Sequence, residues 1–282
     1  MSIRIVADST CDLPASLAKE LNVPIIPLYV NVGTQGYQDG IDISRQEFYT
    51  RLPDFSEHPT TSAPGPALFQ KVFEKLIKEG ATEIISIHIA ESLSATVQVA
   101  RQVAAEFKQI PVHVIDSQQL TLGTGFQVEA AAKMAKLGKS SREIIETLES
   151  MAPRTLVAAA LDTLEFMRRS GRVSNLVAGF GTLLQMKPIL TMKDGVPASQ
   201  RTRTSRKALA RIRGFLADYA PIERIAFFHT NAMSKANEFQ KSLEPITQGL
   251  KIDMEPQAMT PVIGSHLGPG AVGYAVLRQE AG

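Results

Sequence analysis

The sequence contains no tryptophan and only one cysteine, Cys11, among its 282 residues. A single cysteine excludes an internal disulfide and is typical of a reducing compartment. No apolar run approaches the roughly 18 residues that a membrane-spanning helix needs. The first segment, MSIRIVADST, leads straight into an apolar strand and lacks the regions of a secretory signal. The sequence therefore predicts a cytoplasmic, soluble protein without stable membrane insertion.

Motifs of several functional classes are also missing. The five histidines, at positions 58, 88, 113, 229 and 266, show no metal-ligand spacing. There is no Walker loop and no Gly-x-Ser-x-Gly nucleophile elbow. The formal net charge is only +2, and no aromatic stacking platform accompanies the basic residues. We therefore expect no metal, no cofactor and no nucleic-acid partner.

The pattern of apolar residues predicts the fold class. Short β-branched runs alternate with longer helical patterns, which is typical of an α/β fold with a largely parallel sheet. A chain of 282 residues is long for one core, and the sequence pattern changes near residue 150, where a second module begins. We interpret this as two α/β lobes, residues 1–152 and 153–282.

Several local signals fall in the second lobe. Asp194-Gly195 predicts a tight hairpin turn. KIDMEP (251–256) is interpreted as a strand and GAVGYAVLRQ (270–279) as a terminal helix that begins at the glycine-rich turn GPGAVG. That turn resembles a dinucleotide fingerprint, but only nine residues follow Gly273, too few for the second strand and acidic residue of such a site. A simple anion-binding helix N-terminus and plain close packing are both left open.

Three clusters of hydroxyl groups stand at the ends of apolar strands or ahead of a helix. In a parallel sheet such loops gather at the carboxyl edge, where ligands usually bind. One hydroxyl suffices for a helix cap, and capping is the common role of a single cluster. Two or three hydroxyls in each of three clusters favour an anion site, and the lack of a flanking lysine favours a carboxylate. The clusters are ADSTCDLP (Asp8, Ser9, Thr10, Asp12), TTSAPGP (Thr60, Thr61, Ser62) and ESLSAT (Ser92, Ser94, Thr96).

Two basic stretches remain. FMRRSGRVSN carries Arg168, Arg169 and Arg172, and arginine is well suited to carboxylate or phosphate. The commoner role of such a run is to place cations at the end of a helix. QRTRTSRKALARIR (200–213) holds six basic residues and no acid, so it is either a solvated face or a surface for an acidic partner.

Together these segments resemble the DegV family, the fatty acid-binding subunits of the bacterial fatty acid kinase system. The resemblance runs in order through VADSTCDLP, PTTSAPGP, IHIAESLSATVQVA, VIDSQQLTLGTG, LEFMRRSGRVSN, KPIL, RTRTSRKAL and IGSHLGPGAVG, nearly the whole chain. It implies two α/β lobes with a long-chain fatty acid in the cleft between them. It also implies a non-catalytic carrier that presents the carboxyl group to a separate ATP-dependent kinase, which forms an acyl-phosphate for phospholipid synthesis.

The resemblance also assigns the site residues. Thr61, Ser62 and Ser94 would hydrogen-bond the carboxyl group, with His266 and Arg172 close to it. Ser92 and Thr96 keep the capping role. Arg203 would belong to the surface that docks the kinase.

The chain departs from the usual family pattern in two places. TSAPGP stands where a Gln and a second Ser are more common, and Ala95 stands where a Gly more often follows the serine. Both changes leave the hydroxyl groups in place, but Ala95 adds a β-carbon beside the head group.

Two other functional classes stay open at this stage. One is a stand-alone small-molecule kinase or hydrolase that uses Asp8, Asp12 and His266 as acid or base, although carboxylates in such a turn more often cap their own backbone. The other is a nucleic-acid-binding regulator that uses residues 201–213.

Overall fold

The computed structural model describes residues 2–171, 186–250, 252 and 254–280. The first half of the chain alternates strands and helices, with single 3-10 turns at Ser9–Cys11 and Leu52–Asp54. Its elements are β1 (Ile3–Asp8), α1 (Ala15–Glu20), β2 (Ile25–Ile26), β3 (Tyr29–Val32), β4 (Gln35–Gln38), α2 (Arg45–Arg51), β5 (Thr60–Ser62), α3 (Pro66–Lys78), β6 (Glu83–His88), α4 (Thr96–Glu106), β7 (Val112–Asp116), α5 (Thr121–Lys136) and α6 (Ser141–Arg154).

A four-stranded parallel sheet forms the centre of this half, in the order β2-β1-β6-β7. The strands alternate their apolar side chains between two faces. Ile84 packs with Phe69 of α3 and Val103 of α4, whereas Ile85 packs on the opposite side with Phe126 of α5. Helices on both faces bury the sheet, as the alternating sequence pattern predicts.

A smaller antiparallel sheet lies beside it, in the order β4-β3-β5. The segment from 31 to 60 is polar and turn-rich in sequence, yet it forms β4 and α2. The Thr60–Ser62 cluster is therefore on a strand of this small sheet, and its predicted place at the carboxyl edge of the parallel sheet is wrong. Ser44 begins α2 as its N-cap and accepts from the Glu47 amide at 3.1 Å.

The second half builds a six-stranded sheet, in the order β10-β9-β8-β13-β11-β12. All of its pairs are antiparallel except β11 with β12, so the predicted parallel arrangement holds only for the first half. Its elements are β8 (Thr155–Ala160), α7 (Glu165–Arg169), β9 (Lys187–Lys193), β10 (Val196–Thr202), α8 (Ser205–Asp218), β11 (Ile222–His229), α9 (Met233–Ser242), α10 (Glu244–Thr247), β12 (Gln257–Ala258), α11 (Pro261–Leu267) and β13 (Val272–Arg278).

The terminal helix predicted for the end of the chain is wrong. GAVGYAVLRQ forms strand β13, because Val272 and Tyr274 face one core while Ala275 faces the other. A central strand buried on both faces is a continuous apolar run, which periodicity alone does not separate from a helix. The glycine-rich turn consequently lies between the C-terminus of α11 and β13, so of the two alternatives left open the anion-binding helix N-terminus is not formed.

Two other local predictions have different outcomes. The hairpin turn is confirmed, since Asp194 and Gly195 join β9 to β10 with φ angles of 51° and 72°. The KIDMEP strand is wrong for its described residues, which form no strand; β12 follows at Gln257.

Helix α5 lies between the two large sheets. Its side chains share one core with residues of both halves, among them Ile85, Val157 and Phe228. A β-carbon at Gly125 would lie 2.7 Å from the Cys11 carbonyl oxygen, so glycine permits the close approach of this helix to the loop after β1. Because α5 is shared, the proposed division into residues 1–152 and 153–282 separates the sheets but not the core.

Candidate functional site

An apolar cavity of about 260 Å³ lies between the two halves. Its walls come from the parallel sheet's loops, from the first strands of the six-stranded sheet, and from α11. The apolar surface needs no polar partner and suits a hydrocarbon ligand. Side chains of this inner surface include Leu120, Val157, Ala159, Leu190, Met192 and Phe228.

Polar groups of the cavity include a pair that joins the two halves of the chain. Thr61 Oγ1 lies 2.8 Å from His266 Nε2, and both residues line the cavity. Ser62, the next residue on β5, also lines it, and its hydroxyl accepts from the Asn31 side-chain amide at 3.2 Å. This group of hydroxyls and an imidazole can donate hydrogen bonds to a carboxylate.

Ser94 lies in the turn between β6 and α4 and also lines the cavity. Its Oγ is 2.8 Å from Thr96 Oγ1 and 3.3 Å from the Thr96 amide nitrogen. The capping role predicted for Ser92 and Thr96 is wrong, because α4 has no side-chain cap and Thr96 is its first residue. Ser92 Oγ donates to the Gly195 carbonyl at 2.7 Å and thereby connects this turn to the β9–β10 hairpin. The structure thus brings Thr61, Ser62, Ser94 and His266 to one cavity.

His266 is placed by helix α11. Thr260 is the N-cap of this helix and its hydroxyl accepts from the Val262 amide, with Pro261 in the first turn. His266 lies in the last turn, followed by Gly268 with a φ of 69°. A β-carbon at Gly268 would lie 2.2 Å from the Phe166 ring, so only glycine allows this turn to pack against α7.

Two buried carboxyl groups lie at the start of α11. Asp12 accepts from the Thr260 amide at 2.9 Å and from the Thr121 hydroxyl at 2.7 Å, and pairs with the Arg45 guanidinium at 3.0 Å. Asp39 accepts from the Thr260 hydroxyl. Burial raises the pKa of both acids, that of Asp39 to about 6, because desolvation penalises the charged form more than Arg45 and the hydrogen bonds favour it.

Asp8 belongs to another buried network. Its carboxylate accepts from the Ile89 amide at 3.0 Å and lies 3.0 Å from His88 Nδ1, whose Nε2 lies 2.7 Å from Ser86 Oγ. The order Ser-His-Asp resembles a catalytic triad, but all three side chains are fully buried and none lines the cavity. The contacts hold the start of the loop that carries Ser94. Neither Asp8 nor Asp12 lines the cavity with His266, so the geometry gives no support to the acid–base alternative.

The predictions for the four arginines fare differently in the structure. Arg172 lies outside the described residues. Arg203 is exposed in the turn between β10 and α8. Arg168 and Arg169 both contact Glu165, at 2.8 Å and 2.6 Å, in agreement with the common role of cations at a helix end. Within the described part of the chain, no cluster of His, Cys, Asp or Glu could hold a metal ion, and no helix is long and apolar enough to cross a membrane.

Sequence reasoning missed the apolar walls of the cavity and the buried residues at the start of α11. Arg45 and Asp39 lie in the segment interpreted only as polar and turn-rich. A capping-box signature at Ser44 and Glu47 could have revealed α2 and hence the helical placement of Arg45. No sequence signal connects Asp39 with Thr260, which is 221 positions away.

Comparison with known proteins places the chain in a family. The family model described as "Uncharacterised protein, DegV family" matches residues 2–279. The chain belongs to the DegV family. A DegV domain-containing protein of Deinococcus radiodurans is 36% identical over 282 residues, covering 98% of both chains. One of Halalkalibacterium halodurans is 34% identical over 277 residues, covering 97% of both.

Solved DegV structures share the fold. A fatty acid-binding DegV family protein of Thermus thermophilus superposes with a TM-score of 0.88 at 33% identity, covering 98% of this chain and 99% of that one. DegV of Bacillus subtilis, described as a fatty acid-binding protein, gives 0.89 at 30% identity, with the same coverage. A stearic acid-binding protein of Eubacterium ventriosum gives 0.88 at 25% identity, covering 98% of both chains. The α/β fold is thus that of DegV fatty acid-binding proteins.

Proposed function

We propose that this DegV chain is a non-catalytic carrier that binds a long-chain fatty acid. The acyl chain occupies the apolar cavity, and the carboxyl group lies among Thr61, Ser62, Ser94 and His266. The observation that carries this proposal is an apolar cavity that contains the Thr61–His266 pair. Arg172 stays in the proposed head-group site by family resemblance alone.

The energetics support different roles for the acyl chain and the carboxyl group. Burial of an acyl chain of about 16 carbons contributes roughly 0.8 kcal/mol per methylene, on the order of 10 kcal/mol before ordering costs. Hydrogen bonds to the carboxylate largely replace those it makes with water, so they fix its orientation more than they add affinity. The cavity therefore supplies affinity and the polar group supplies direction.

We further propose that the carrier presents this carboxyl group to a separate ATP-dependent fatty acid kinase, which forms the acyl-phosphate used in phospholipid synthesis. The basic stretch from Arg201 to Arg213 supports a docking surface for an acidic partner, and Arg203 is exposed at its start. The division into residues 1–152 and 153–282 remains part of this proposal, with the ligand in the cleft between the lobes.

Native mass spectrometry of the purified protein tests the binding function. We expect a co-purified species or an added fatty acid such as palmitate to bind with a stoichiometry of one. A protein that carries no fatty acid and takes up none would refute the proposal. Hydrolysis of ATP or of an ester by the protein alone would instead support an enzyme.

Removal of two hydroxyl groups should weaken the hold on the carboxyl group. In the Thr61→Ala/Ser94→Ala double variant we expect palmitate affinity to fall about 30-fold, since two hydrogen bonds with a net contribution of roughly 1 kcal/mol each are lost. Affinity for the uncharged methyl ester should change little. Fluorescence displacement measures both, with Thr60→Ala, an exposed threonine on the same strand, as the control. Unchanged palmitate affinity would refute the head-group assignment.

Arg203 should affect phosphorylation by the partner kinase and not the binding of the fatty acid. We expect Arg203→Ala to bind palmitate like wild type and to lower kcat/KM for phosphorylation by the partner kinase about 10-fold, the effect of one lost charge contact at roughly 1.4 kcal/mol. Arg142→Ala removes an exposed arginine on α6 and serves as the control. Normal phosphorylation of the Arg203 variant would exclude the docking role.

A further inference from the structure

A junction of buried polar groups lies behind the head-group region. Asp12, Asp39, Arg45 and Thr260 come from four separate segments of the chain, and both acids are at most 5% exposed. Two carboxyl groups face a single guanidinium there, so the junction carries an excess of negative charge when both are ionised. Such an arrangement costs folding free energy, and proteins tolerate costs of this kind chiefly at functional sites.

The junction holds the first turn of α11. The Thr260 amide donates to Asp12 while the Thr260 hydroxyl donates to Asp39. Arg45 donates to the Ala258 carbonyl, and the Tyr49 hydroxyl donates to the Met259 carbonyl at 3.2 Å. The chain is therefore fixed at three consecutive residues just before the helix begins.

The same helix carries His266 at its other end. The helix has only seven residues, Pro261–Leu267, so a tilt or shift of its first turn moves the imidazole relative to Thr61. A β-carbon at Gly264 would lie 2.4 Å from the Tyr49 hydroxyl, which means that α2 also contacts the middle of α11 closely. The position of His266 thus depends on the contacts made by Thr260.

We propose that Asp39 is a positioning residue of the head-group site: its ionised carboxylate holds the Thr260 hydroxyl, and through α11 it sets the contact of His266 with the ligand carboxyl group. This inference rests on the proposed fatty acid-binding function. Asp39 does not line the cavity. In this proposal its effect on binding passes through Thr260 and the helix.

The charged and titratable groups around Asp39 predict the direction of the effect. Asp12 faces Asp39 from the loop after β1, and Asp8 and Cys11 precede Asp12 in the same segment. Arg45 and Tyr49 face Asp39 from α2, and His229 lies near Arg45 at the end of β11. Burial raises the pKa of Asp39 to about 6. Above this pH the carboxylate accepts from Thr260 and Ser9; below it one oxygen carries a proton and the hold on Thr260 weakens.

The experiment compares palmitate affinity of Asp39→Asn and wild type at pH 8 and pH 5. Asparagine stays neutral, so at pH 8 we expect the variant to bind about 5-fold more weakly, the value of one hydrogen bond of roughly 1 kcal/mol. At pH 5 the two proteins should bind alike. Asp54→Asn, which removes an exposed acid of the same region, should follow wild type at both pH values.

Variants at Thr260 test whether the effect passes through this residue. In a Thr260→Val background, the Asp39→Asn change should no longer alter palmitate affinity at pH 8. In a Thr260→Ser background, which keeps the hydroxyl, the same change should again weaken binding. A ratio of affinities that is the same at pH 5 and pH 8, or an effect of Asp39→Asn that persists in the Thr260→Val background, would overturn the proposal. Wild type that binds no fatty acid at either pH would instead refute the proposed function itself.

Discussion

Ala159→Phe is expected to lower palmitate affinity about 100-fold without preventing folding. Ala159 lies on β8, lines the cavity and is 5% exposed, and its strand neighbours are Gly273 and Leu190. A phenyl ring there occupies space that the acyl chain needs. Exclusion of about four methylenes at roughly 0.8 kcal/mol each removes about 3 kcal/mol of binding free energy, a factor of about 100.

The fold should tolerate this change because the ring enters an apolar space and phenylalanine is favoured in strands. Ala159→Leu fills less of the cavity and should have an intermediate effect, which gives a graded series. Leu137→Phe, at a side chain that is 78% exposed, is the control for added apolar volume. Isothermal titration or fluorescence displacement measures the affinities. Wild-type affinity in a folded Ala159→Phe variant would place the acyl chain elsewhere.

Asp39→Asn is expected to stabilise the protein by about 3 kcal/mol at pH 8. The pKa of Asp39 rises from its ordinary value of 3.8 to about 6 in the folded protein because of burial. Below pH 3.8 the acid is protonated in both the folded and the unfolded chain. Between pH 3.8 and about 6 the unfolded chain ionises while the folded chain keeps its proton, so stability falls as the pH rises, and the loss is complete above about pH 6. A difference of about 2 pKa units corresponds to about 3 kcal/mol.

The gain from asparagine should therefore be largest above pH 7 and vanish near pH 4. Urea unfolding of ligand-free protein at both pH values measures it, and Asp54→Asn, at an exposed acid, should show no comparable gain. An equal gain at both pH values would show that ionisation of Asp39 is not its cause. Together with weaker palmitate binding at pH 8, a gain confined to high pH would mean that the native acid lowers stability and serves the site.

Sequence reasoning predicted those elements in which the apolar residues repeat with a clear period, either that of a helix or that of a strand. The parallel sheet follows from short β-branched strands between amphipathic helices, and the Asp194-Gly195 turn follows from residues that tolerate positive φ. It failed where both faces of an element are buried. In β13 the apolar run around Tyr274 has no polar side, and helix and strand are then equally consistent with the sequence.

The proposed head-group residues are only partly indicated by the sequence. The hydroxyl clusters favour an anion site, but only the family resemblance selects Thr61 and Ser94 among the hydroxyls and joins them to His266. Thr61 and Ser94 look like ordinary capping hydroxyls in sequence, and nothing local indicates that His266 reaches Thr61. The supporting residues are harder still, because Asp39 and Thr260 gain their meaning from a contact that the fold alone creates. Local propensity predicts elements, but burial of a charge depends on what the other segments bring to it.

The Thr61–His266 pair joins residues separated by 205 positions in the chain. During synthesis Thr61 therefore leaves the ribosome long before its partner exists. A chain truncated anywhere before residue 266 lacks one side of the proposed head-group site, however well its first sheet folds. Under the proposed function, such a chain would lack the His266 contact, so ligand uptake would require synthesis to have passed this residue.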